Sequence, residues 1–210
     1  METRKIYSKQ RHLGYSHDSA SPCIEENTAK PKEDVVNKNL WRSLIVAFVF
    51  GLVVLTIVLA GFTVPIPGTG VVTDPREIFV TIGAALTGPL GALIIGFLAG
   101  IAEPGGIPLA SLLGHIAGAL WMAFAYKKFV YERLQMPVRL LGWIVLVIIY
   151  YYVFVVPGFA IGLVAFYGEP DLIGIYMALA KGVIVEVLIT TTVTTLALLA
   201  LPQKYHRPLW

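Results

Sequence analysis

Beyond residue 40 the chain alternates long apolar runs with short polar or Pro/Gly-rich breaks, and the run lengths predict membrane-crossing helices. The first run, 41–62, carries no charge after Arg42, and its 22 residues are enough for a hydrocarbon core of about 30 Å. A loop at 63–75 follows, with Pro65, Pro67, Gly68 and Gly70. A second segment, 76–87, stops at Gly88-Pro89, and a third, 90–102, stops at Glu103-Pro104-Gly105-Gly106. The fourth spans 108–126 and leads into a loop carrying Lys127, Lys128, Glu132, Arg133 and Arg139. The fifth spans 140–156, where Pro157-Gly158 predicts a kink or break, and apolar sequence continues to Tyr167. After Gly168-Glu169-Pro170-Asp171 the sixth runs over 172–201, closed by Pro202 and a basic tail.

The second and third segments are each about a dozen residues, too short for a perpendicular crossing. They are either two short tilted spans or one span broken at Gly88-Pro89, giving six crossings or five. Charge favours six. Of 16 Lys and Arg, eight lie at or before Arg42, four between the fourth and fifth segments, and two after the sixth. With six crossings all three groups fall on the cytoplasmic side, as the positive-inside rule requires. With five, the 127–139 loop would lie outside. The predicted fold class is an all-α integral membrane bundle of about six transmembrane helices, with both ends inside, in the cell membrane. It comprises a disordered polar tail (1–40), a transmembrane domain (41–202) and a short cytoplasmic tail (203–210).

Composition agrees: 57% of residues are hydrophobic and 14% charged, against about a quarter charged in soluble domains. Thirteen of the 29 charged residues precede Leu40, so the first 40 residues have too little apolar content to form a core. No cleavable signal peptide is visible, and the first apolar run would serve as a signal anchor. The single cysteine, Cys23, has no disulfide or metal partner. The small net charge of +3 is what cytoplasmic loops need and does not point to nucleic acid. No HExxH, GxSxG, Walker A or Rossmann pattern occurs, so neither an enzyme nor a bound cofactor or metal is expected.

Ionisable side chains inside spans are costly and usually face a cavity or a partner. His115 and Lys181 each lie about 12–13 Å below the outer ends of their segments, in the outer half of the bilayer. There they would line a pocket open to the outside, with Lys181 as the cation for an anionic ligand group; the competing reading of Lys181 is snorkelling to the interface. Glu186, about 21 Å down, would pair inside the bundle. Asp74-Pro75-Arg76-Glu77 reads as a helix start, and Arg76, the one arginine in an external loop, would line the pocket mouth or pair with Asp74. Tyr150, Tyr151 and Tyr152 are about 100° apart and cannot all face lipid, so at least one faces inward; one of the three, taken as Tyr151, joins Arg76, His115 and Lys181 as a candidate ligand contact. Small residues at four-residue spacing (Ala47 and Gly51; Gly96 and Gly100; Ala110, Gly114 and Gly118) let helices approach closely. They would pack the bundle or, for Ala47, Gly51, Gly96 and Gly100, dock a partner membrane subunit. The five threonines over 190–195 can bond back to their own helix.

The stretch 74–126 combines a short helix, the break Gly88-Pro89-x-Gly91, a glycine-spaced helix and a Gly-Gly turn. It resembles the substrate-binding S components of energy-coupling-factor vitamin transporters, and is similar to the related membrane sensor domain of LytS-type histidine kinases. The segment from Ala180-Lys181-Gly182 to Leu201-Pro202 looks like the last S-component helix. The resemblance implies six helices and a vitamin-like solute held in the outer half, under the 63–75 and 168–171 loops. It also implies a transmembrane coupling protein and cytoplasmic ATPases as partners. The chain departs from the pattern in two ways. Its first segment lacks the alanine-spaced docking motif, holding only Ala47 and Gly51, and its polar tail is long. On the sensor alternative, the domain would be a stand-alone receptor signalling to a separate partner, since only 203–210 follow the sixth segment.

Overall fold

A computed structural model describes residues 32–65, 72–103 and 107–210. Its elements are α1 (Lys32–Leu59), a two-residue antiparallel pair β1 (Val64–Pro65) and β2 (Val72–Thr73), α2 (Arg76–Ile101), α3 (Pro108–Ala125), α4 (Val138–Ile149), α5 (Val156–Tyr167), α6 (Leu172–Gly182) and α7 (Ile184–Ala200). Apart from that short pair, the regular structure of the described residues is helical. Four stretches are long and apolar enough to cross a membrane: 38–59, 76–101, 108–131 and 138–167. The pair α6 and α7, bent by 47° at Val183, makes up to five. Large apolar side chains face outward along them, among them Ile45, Phe48, Leu52, Leu141, Val145, Leu188 and Leu196. In water such a surface would be a liability; against lipid tails it is the required one.

The predicted tail 1–40 lies outside the described residues as far as residue 31, as do Cys23, Pro67, Gly68, Gly70 and Pro104-Gly105-Gly106. Helix α1 begins at Lys32, so 32–40 is helical where composition points to disorder.

Hydrogen bonding is helical along α2 except at Gly88, whose φ of 77° and ψ of −175° fall in a region open essentially to glycine. The chain doubles back there. The Arg76 guanidinium at the start of α2 donates to the carbonyl of Ala99 at its end, at 3.0 Å. In a straight helix those residues would be about 34 Å apart. The element is therefore a hairpin of two antiparallel arms, 76–87 and 89–101, each rising about 18 Å. The break expected at Gly88-Pro89 is present, and the chain leaves the hairpin at the level where it entered.

A helix break frees carbonyls that must find donors elsewhere. The Leu209 N–H donates to Leu86 O at 2.8 Å, and Ser43 Oγ of α1 donates to Thr87 O. The Trp210 ring lies against Gly88, so close that a Cβ there would collide with it. The C-terminal segment therefore seals the hairpin tip. Tyr126 O–H to His206 O (2.9 Å) and Lys127 Nζ to Trp210 O (2.9 Å) fasten it.

Two further breaks differ from expectation. Pro157 does not interrupt its span, because the preceding turn, Tyr150–Val155, is π-helical and the helix continues through α5. The wider turn accommodates the proline and brings Tyr150 and Tyr151 both to the inner face, fully buried. The sixth segment is instead divided at Val183. Helix α6 buries only Gly182 and packs chiefly on α5, whereas α7 packs on α4.

Gly88→Ala is expected to lower stability by about 1–3 kcal/mol from backbone conformation alone, with the Trp210 clash added. Gly61, also at positive φ (68°) but with open space within 4 Å of where a Cβ would sit, isolates the first effect. Thermal unfolding in detergent should therefore show a larger fall for Gly88→Ala than for Gly61→Ala.

Candidate functional site

Where the two arms of α2 meet α3, the π-helical turn and α7, the apolar interior gives way to a cluster of charged side chains. Arg76 is its hub. Its backbone N–H is held by Asp74 Oδ1 at 2.9 Å, the turn that starts α2. Its guanidinium lies 3.3 Å from Asp74, 3.4 Å from Glu77 and 2.5 Å from Glu103. Because Glu103 follows the second arm, this ion pair and the Ala99 bond close the hairpin mouth. Burial lifts the Asp74 carboxyl above the usual carboxylate range, against the opposing pull of Arg76.

Glu77, 2% exposed, accepts from His115 Nε2 at 2.6 Å and from the Tyr150 hydroxyl. His115 Nδ1 faces both the hydroxyl and the carbonyl of Ser111, one turn earlier, at 2.9 Å each. The Ser111 hydroxyl in turn donates to Glu103 at 2.8 Å. Three segments are thus tied through shared oxygens: the first arm of α2, α3 and the Tyr150 turn. Such networks are strongest where every member is satisfied, and here only Arg76 Nε lacks a well-aligned acceptor.

Across a cavity of about 90 Å³ stands a second group. Tyr151 donates to Glu186 at 3.1 Å and shares a hydrogen bond with Thr190 at 2.9 Å. Further along α7, Trp143 Nε1 donates to Thr194 at 2.8 Å. The polar wall of the cavity is Arg76, Glu77, Glu103, His115, Tyr151 and Glu186; the apolar wall is Val155, Val156, Phe159, Leu179 and Val183. Counting Asp74 behind Arg76, four carboxyl groups face one guanidinium and one imidazole. By size the cavity holds several waters or a compact solute.

Three of the four predicted ligand contacts, Arg76, His115 and Tyr151, line this cavity. Lys181 does not: it is exposed on α6 and turned away from the cavity. Leu179 and Val183, two positions to either side, do line it, and a two-residue step turns a helix by about 200°. Glu186 joins the cavity from α7. It hydrogen-bonds Tyr151, a partner inside the bundle as expected, and it lines the same cavity as His115 although the sequence puts the two about 9 Å apart in depth. Glu77, Glu103 and Ser111 join the site without having been singled out as ligand contacts by the sequence, and Tyr150, one of the three tyrosines considered, joins it through Glu77. The Ser111–His115 four-residue spacing and the otherwise unexplained Arg76 are the signals that point to them.

The four candidate positions for partner docking are occupied within the chain. Ala47 is fully buried and lies against Gly91 of the second arm, and Gly51 lies under Leu98. A Cβ on Gly96 would meet the His115 carbonyl at 2.8 Å, and one on Gly100 the Leu112 Cα at 2.5 Å. The small-residue spacing serves close packing of the hairpin on α1 and α3.

No protein-family model, curated protein or solved structure matches this chain.

Removing Glu77 would strand His115, Tyr150 and Arg76 without their shared acceptor. Glu77→Ala should cost about 3–5 kcal/mol, as for a buried pair deprived of one partner. Lys181→Ala should stay within about 0.5 kcal/mol, as for an exposed position. Unfolding midpoints of the two variants in the same detergent check both.

Proposed function

We propose that the chain is a multi-pass protein of the cell membrane that binds a small cationic solute in this cavity. We further propose that it is the solute-binding subunit of an ATP-driven uptake transporter of the energy-coupling-factor type. The observation that carries the binding function is the carboxylate-lined cavity itself. In a chain whose long apolar segments carry very few charges, ionisable groups from separate helices converge on one space, at a cost that a ligand or ion pathway explains. The excess of carboxyl groups selects a protonated amine or similar cation, the opposite sign to the ligand that Lys181 as a contact would select.

The proposed topology is six crossings with both ends inside. The doubled-back α2 supports it. Whether its arms reach both surfaces or re-enter from one, they return the chain to the starting side, and the three basic groups stay on one side. Solute would enter past α6, which forms one cavity wall through Leu179 and its junction at Val183 while burying little else. Impermeant reagents should label a cysteine at position 127 only from the cytoplasmic side; labelling from outside would overturn the topology.

Binding is tested by calorimetric titration of the purified chain with small ammonium ions and, in parallel, small carboxylates. Ammonium binding is expected, weakened about 10-fold or more by Glu186→Gln, as for loss of a charged hydrogen bond. Lys181→Ala should leave it unchanged. Preference for carboxylates would overturn the assignment. The receptor alternative shares the cavity, and differs in that a partner's phosphorylation would respond while no solute accumulates in cells.

A further inference from the structure

At the opposite end of the bundle from the hairpin mouth, where the start of α1 meets the C-terminal segment, lies a second crevice of about 260 Å³. Asn39, Arg42, Lys204 and Arg207 line it, with Pro208 and Trp210 as its floor. It holds no acidic side chain, and among the described residues none of the three cations forms an ion pair. The crevice is built rather than incidental. The segment forming one wall is pinned by the Leu209–Leu86 and Tyr126–His206 hydrogen bonds, and Lys127 Nζ sits 4.0 Å over the Trp210 ring.

Its depth in the bilayer can be read from its neighbours. Trp41 beside Arg42 is 62% exposed, and Tyr205 beside Lys204 is 55% exposed. Exposed Trp and Tyr at one level mark the headgroup region. One turn inward, Ile45, Phe48 and Val49 present an apolar surface to acyl chains. An occupant would therefore have a negatively charged head between two guanidinium forks and an ammonium, and a hydrocarbon tail along α1. Guanidinium groups bind phosphate oxygens in pairs, which favours phosphate over a point anion.

We propose that this crevice is a binding site for a phosphate-bearing anion, namely the headgroup of an anionic phospholipid, seated between α1 and the C-terminal segment. The site is independent of the solute cavity. Through Leu209 and Trp210 it bears on the hairpin tip, so an occupied crevice also holds the seal over Gly88.

The experiment is native mass spectrometry of the full chain, delipidated in detergent, with phosphatidylglycerol against phosphatidylcholine. Phosphatidylglycerol should be retained preferentially. The double variant Arg42→Gln, Arg207→Gln should lose about 30-fold in its retention, at about one factor of five per interfacial cation. Arg42→Lys, Arg207→Lys should recover most of that loss, which a misfolded protein would not do. Lys128→Gln, which removes a cation outside the crevice, should change retention little. Equal retention of the two lipids, or an equal loss in Lys128→Gln, would overturn the site. Competition by inorganic phosphate against phosphatidylglycerol would uphold the phosphate chemistry and identify a soluble anion as its source.

Discussion

The fold depends on Arg76 holding the two ends of a doubled-back helix together. Its guanidinium spans Asp74, Glu77, Glu103 and the Ala99 carbonyl, so the two arms of α2 close at their mouth through one side chain. In water such an arrangement would contribute little, because solvent competes for every partner. In an apolar surround the alternative is a bare charge, and separation of the arms is correspondingly costly. With the mouth fixed, the first arm presents Glu77 to α3 and to the Tyr150 turn, and the rest of the polar network follows.

The other end of the hairpin meets the same constraint in neutral form. A turn at Gly88 leaves the Leu86 and Thr87 carbonyls without helical donors, and donors come from outside the element: the backbone of Leu209 and the hydroxyl of Ser43. Two distant parts of the chain thus converge on one spot, α1 through Ser43 and the C-terminal segment through Leu209 and Trp210. A short polar tail that would pass for a disposable extension becomes the cap of a membrane helix break. It also carries the basic residues of the second crevice, so the seal and that crevice share one segment.

The cavity forms because the two polar groups belong to different subsets of the bundle. Glu77, His115 and Tyr150 bind α2, α3 and the π-helical turn into one unit, while Tyr151, Glu186 and Thr190 link that turn to α7. Adjacent tyrosines in a π-helical turn serve both groups at once. The lightly packed α6 completes the enclosure with apolar side chains, so the wall that can yield is the one without charge-assisted bonds.

Much of this is legible in sequence, for a physical reason. Hydrocarbon solvent demands long apolar runs and punishes charge, so the spans, the breaks at Gly88-Pro89 and 168–171, and the special status of Arg76 and His115 can be read directly. What sequence does not decide is direction. Gly88-Pro89 announces a break, but whether the chain bends or reverses depends on a guanidinium finding a carbonyl 23 residues away. Pro157 announces a break, yet the helix continues past it after a π-helical turn, while the chain bends by 47° at Val183, where no proline stands and only Gly182 precedes. Beside that bend, Glu186 lines the cavity through α7, while Lys181 falls on the α6 face opposite Leu179 and is exposed. Periodicity and composition are local properties and fix what each segment must be. The partners of its polar groups are set by contacts distant in sequence, which exist only once the segments are packed.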